Sequence, residues 1–154
     1  MLIVVCLDVE DGIEPIRGLT ASFGLDGADV TMLHVVDTAE RAKLEDAVRP
    51  GIVRAQLQKV EELLEADEAA MLRETYDEAA SILRECHAGE MKLDVGSGRP
   101  ERVIVSYLSE KKAGLCVVAR RPDWNQNHDT GPKSIGHVAR FVVDHAPCPV
   151  LVLR

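Results

Sequence analysis

Leu2-Ile-Val-Val-Cys-Leu7 is a continuous apolar run, rich in β-branched residues and ended by Asp8. A run of this kind reads as a strand buried on both faces, as in parallel sheets. Residues 30–36, Leu115–Ala119 and Val150–Leu153 have the same character. Lys92-Leu-Asp-Val95 alternates instead and runs into Gly96-Ser-Gly98, the pattern of an edge strand. The intervening stretches carry helical spacing. Residues 13–23 give a short helix, weakened by Gly18. Residues 52–87 place Leu57, Val60, Leu64, Met71, Ala79, Ile82, Leu83 and Cys86 at three-and-four spacing on one face, with charges on the other. Pro100 suits a first helical turn, and Val103, Ile104, Tyr107 and Leu108 form the stripe of a helix that closes on Lys111 and Lys112. The last helix is predicted over residues 134–145, with Ile135, Val138, Ala139, Val142 and Val143 as its apolar stripe and Pro147 as its stop.

Strand and helix thus alternate along the chain, which predicts an α/β fold: one open, mostly parallel sheet with helices on both faces. A length of 154 residues fits a single domain with a proper core. In open parallel sheets ligands sit at the carboxyl ends of the strands, where the strand order reverses. The loops after Asp8, Val36 and Ala119 are therefore the ones to read. Residues 37–51, with Pro50-Gly51 near their end, are expected to form a mobile connection.

Charge narrows the partners. Eighteen basic against 26 acidic residues give a formal net charge of −8, which opposes nucleic acid and anionic membranes alike. Aromatic residues are only 3% of the chain, so the stacking platforms of single-strand binders are missing as well. No apolar run approaches the roughly 20 residues of a membrane span, and the first residues lack the basic flank of a signal peptide, so the expected location is the cytoplasm. Cys6, Cys86, Cys116 and Cys148 are scattered singly, without a Cys-x-x-Cys pair, and read as small buried hydrophobes.

Gly27-Ala-Asp-Val-Thr-Met-Leu-His-Val-Val-Asp37 resembles the second strand of the universal stress protein family. Residues 136–154, Gly-His-Val-Ala-Arg-Phe-Val-Val-Asp-His-Ala-Pro-Cys-Pro-Val-Leu-Val-Leu-Arg, resemble the family's closing helix and strand. Val95-Gly96 followed by Pro100 matches its third strand and turn more loosely. With residues 3–8, the similarity spans the chain except the long helix and residues 120–133. The resemblance implies five parallel strands in the order 3-2-1-4-5, the Rossmann-like arrangement of the adenine nucleotide alpha hydrolase-like fold, and a homodimer. It also implies adenine nucleotide binding in some members, through a loop after strand four with the pattern Gly-x-x-Gly-x9-Gly followed by Ser or Thr. Such glycines let backbone approach phosphate, and a helix start supplies N–H donors. Here only Gly136 remains; Asp123 and Gln126 stand at the first two glycines and His137 at the hydroxyl.

The candidate nucleotide-binding residues follow from that comparison. Asp8 stands where the family places an acid near adenine and ribose, although an aspartate there also caps a loop. Val36 ends the second strand. Arg120 and Arg121 follow strand four and offer guanidinium forks for phosphate, or else partners for Glu10 and Asp11. Ser134, with Gly131, offers either an anion nest or a plain N-cap ahead of Gly136 and His137. His128, Asp129 and His137 lack the spacing of a zinc motif, His137 and His145 are too far apart on one helix to share an ion, and no metal is expected. His34, on a buried strand, reads as a satisfied core residue. No nucleophile–base pair, Gly-x-Ser-x-Gly elbow or Walker loop is present, so no catalytic residue is assigned. The combined expectation is a non-enzymatic stress-response or signalling module, dimeric through Val150–Leu153, in which adenine nucleotide binding is lost or weakened. The alternative is an ATP- or AMP-binding member that grips phosphate with Arg120, Arg121 and the start of the last helix.

Overall fold

A computed structural model describes residues 1–8, 11–37, 53–119 and 135–153, with the side chains of the long helix described from Ala66 onward. Strands β1 (Leu2–Leu7), β2 (Asp29–Asp37), β3 (Met91–Gly98), β4 (Leu115–Ala119) and β5 (Val150–Leu153) alternate with helices α1 (Glu14–Ser22), α2 (Val53–Glu85), α3 (Pro100–Lys111) and α4 (His137–His145). The sheet order is β3-β2-β1-β4-β5 and every pairing is parallel. This is the predicted α/β sheet, with β1 at its centre and the reversal of strand order between β1 and β4.

Period-two alternation sends successive side chains of each strand to opposite faces. Ile3, Val5, Val30, Met32 and Val117 face one way, onto Ile16 and Leu19 of α1 and Ala79 and Leu83 of α2. Val4, Leu33, Cys116 and Val118 face the other way, onto Ile104 and Leu108 of α3 and Ala139 and Val142 of α4. Gly18 lies inside α1 for a steric reason: a Cβ there would come within 2.9 Å of Leu153 Cδ1, so the glycine allows helix and strand to pack closely. Helix α2 ends on His87 in the left-handed region (φ 55°), where Ala88 N–H donates to Leu83 O and His87 O accepts from Gly27 N–H. Its C-terminus is thereby tied to the entry of β2.

Three expectations need correction. Met71 was placed on the buried stripe of the long helix, yet it is 50% exposed while its neighbour Leu72 is 7% exposed. The face that packs runs through Leu72, Ala79, Ala80 and Leu83, so small alanines carry the contact and the larger methionine points outward. Val143, assigned to the stripe of the last helix, is 46% exposed for the same reason of phase. That helix also begins later than residue 134: Gly136, at φ 92° and ψ 156°, is its N-cap and His137 its first residue. Such a φ is accessible to glycine and closed to the helix. Residues 38–51, expected as a mobile connection, lie outside the described residues.

Candidate functional site

The carboxyl ends of β1, β2 and β4 meet the amino ends of α3 and α4 around a cavity of about 470 Å³. Leu33, Ile104, Val118 and Val138 supply apolar walls. Asp8 and Asp11 reach it from the end of β1, His34 and Asp37 from β2, Glu68 from α2, Glu101 from α3, and Gly136 and His137 from the start of α4. The position follows from the topology, because the crevice opens where the connections from neighbouring strands leave in opposite directions.

Polar contacts of two residues, His34 and Glu101, organise the walls. Nδ1 of the buried His34 lies 3.1 Å from the carbonyl oxygen of Leu7, and Nε2 lies 2.9 Å from Glu68 Oε1. A carbonyl oxygen only accepts, so Nδ1–H is the donor to Leu7. The ring thus ties the ends of β1 and β2 to α2. On the other side, Glu101 Oε1 forms an ion pair with Arg99 Nε at 3.1 Å and lies 3.8 Å from His137 Nε2. The Glu101 side chain is only 8% exposed, whereas those of Arg99 and His137 are 62% and 76% exposed. The carboxylate is buried and both neighbours are largely exposed.

Cys6 also lines this cavity. A hydrogen bond with Cys116, then burial, then the neighbouring Cys116 and Cys148 push its thiol well above the ordinary range, and burial followed by proximity to Cys116 raises Cys148. A thiol held protonated is a poor nucleophile and a poor metal ligand. Among the described residues, no group of three or more His, Cys, Asp or Glu side chains is arranged to hold a metal ion.

The structure brings Asp8, Gly136 and His137 to one cavity, as the sequence suggested. Val36 does not line it: alternation along β2 presents Val35 and Asp37 instead. Arg120, Arg121 and Ser134 lie outside the described residues. Glu68 and Glu101 escaped the sequence reading, because an acidic residue on an amphipathic helix looks like any solvated charge. The acid following Pro100 in a first turn was the only local signal, and it is equally that of a helix start.

The family model of universal stress proteins matches residues 3–154. The chain belongs to the universal stress protein family. No curated protein matches it. Universal stress protein UspA from Lactobacillus plantarum shares its fold at 22% identity, with 100% of this chain and 97% of that one covered and a TM-score of 0.65. The Archaeoglobus fulgidus universal stress protein in complex with dAMP is similar at 23% identity, 100% and 98% coverage and a TM-score of 0.61. An Arabidopsis thaliana family protein with AMP bound is similar at 14% identity, 99% and 90% coverage and a TM-score of 0.58. No helix among the described residues is long and apolar enough to cross a membrane.

Proposed function

We propose that this universal stress protein is a non-enzymatic, homodimeric stress-response or signalling module whose cavity at the ends of β1, β2 and β4 takes an adenine-containing ligand and holds nucleotide phosphates weakly. Solved relatives of the same fold carry AMP or dAMP, which supports the adenine class. The observation that carries the weakening is the make-up of the walls: Asp8, Asp11, Asp37, Glu68 and Glu101 line the cavity, and among the described residues no lysine or arginine does. Each carboxylate near a phosphate costs ~1 kcal/mol or more at partial burial. Two of the three glycines of the family's phosphate loop are also replaced, by Asp123 and Gln126.

Titration calorimetry with ATP at physiological salt tests this reading. The expected dissociation constant lies above roughly 100 μM, about −5.5 kcal/mol. Submicromolar ATP binding that the double substitution Arg120→Ala with Arg121→Ala abolishes would overturn it in favour of the alternative, in which these two arginines hold the phosphates.

A further inference from the structure

Glu101 is the one buried acidic side chain of the cavity that is pinned against the first residue of α4. Arg99, with a side chain 62% exposed, pairs with it at 3.1 Å, and His137, 76% exposed, stands 3.8 Å away, so both contacts reach the buried carboxylate from more exposed positions. We infer that Glu101 is an internal anion that sets the ligand class of the cavity, which takes an uncharged adenine nucleoside in preference to its phosphorylated forms; the inference rests on the adenine reading above.

The start of α4, after the Gly136 N-cap, presents backbone N–H groups and a helix dipole that favour a negative charge. Here the chain supplies it. His137, in the hydroxyl's place, faces Glu101 Oε1 at 3.8 Å, and Arg99 closes the other side at 3.1 Å. A phosphate brought to the same place meets a desolvated like charge, the arrangement that interfaces use to reject a wrong partner. A nucleoside meets no such penalty. Its hydroxyl and amino groups are donors, and carboxylates such as Asp8, Asp37 and Glu101 only accept. The flat base has Leu33, Ile104, Val118 and Val138 to cover it. Glu68 faces His34 at 2.9 Å on the far wall, and among the described residues no lysine or arginine lines the cavity.

Calorimetric titration of the full chain with adenosine, AMP and ATP, at low and at high salt, tests the inference, alongside Glu101→Gln checked for folding by thermal melting. Adenosine is expected to bind about tenfold tighter than AMP, the effect of one like charge near the ligand. High salt should shrink that gap in the native protein by screening, and Glu101→Gln should shrink it mainly through tighter AMP binding. If the variant fails to fold, the salt series alone decides. AMP binding as tight as adenosine in the native protein overturns the inference and leaves the adenine reading standing. A gap that neither salt nor Glu101→Gln changes also overturns it. Absence of binding by adenosine and both nucleotides at millimolar concentration overturns the adenine reading itself.

Discussion

Nε2 of His34, on the central part of the sheet, lies 2.9 Å from Oε1 of Glu68 on the long helix, 34 residues further along the chain. Because Nδ1–H of the same ring is committed to Leu7 O, the Glu68 contact is the only described side-chain link from α2 to the cavity wall. Hydrogen bonds involving a charged group contribute ~1.5–3 kcal/mol when buried, and the partial exposure of Glu68 lowers that range. Glu68→Ala is expected to destabilise the protein by ~1–2 kcal/mol in urea unfolding. Glu68→Gln should recover much of the loss, since its carboxamide offers Nε2 either an accepting oxygen or a donating N–H. Two variants indistinguishable from the native protein would show that the link contributes nothing in solution.

Tyr107 of α3 donates its hydroxyl to Asp94 Oδ2 on β3, and its phenol is pushed up to about 12 by burial first, then by the hydrogen bond and the charge of Asp94. The folded value thus exceeds the ordinary value of 10.0. The neutral phenol is the form favoured by folding, so its contribution is fully present below the unfolded value and is lost as pH rises through the folded one. In Tyr76→Phe, Tyr107 is the only tyrosine left, and its absorbance titration should have a midpoint near 12. Asp94→Asn should lower that midpoint while burial keeps it raised. A midpoint at the ordinary value with the fold intact by circular dichroism would count against the contact.

How legible the chain was depended on the range of the information. β1 and β4 were readable because burial on both faces demands an unbroken apolar run, and the runs Leu2–Leu7 and Leu115–Ala119 end where the strands end. The phase of α2 was readable in its second half, where Ala79 and Leu83 are buried as expected, but not at Met71, which is exposed while Leu72 and Ala80 are buried, because what a helix buries is set by how closely it must approach the sheet. Gly136 was singled out as a phosphate-loop remnant, and its φ of 92° shows a second role in ending the approach to α4. The cavity's acidic character was readable only at the loop after β1, where Asp8 and Asp11 stand. The rest arises when residues 37, 68 and 101 join them at one end of the sheet, and the one local mark of Glu101, an acid after Pro100 in a first turn, signals a helix start and not burial.

Dimerisation through β5 is the remaining prediction. β5 is the outermost strand of the order β3-β2-β1-β4-β5 and pairs with β4 along one side, from Val150 to Leu153. All four of its residues are apolar and half-buried, and none carries the charge that soluble proteins place on exposed edges. Leu151 and Leu153 pack toward α1 and α2, whereas Val150 and Val152 lie on the face of α3 and α4, where Val143 is also exposed. A two-fold contact between two β5 edges would pair their outer backbone groups antiparallel and cover both the strand and Val143. The opposite edge is less suited, because Lys92 and two glycines interrupt β3. The native protein is expected to sediment as a dimer at micromolar concentration. Val152→Lys should shift it toward monomer while circular dichroism stays native, because a cation at the centre of the paired edges would face its own copy across the axis. Monomeric sedimentation of the native protein would refute the contact outright, and a dimer unaffected by Val152→Lys would move the interface to another surface.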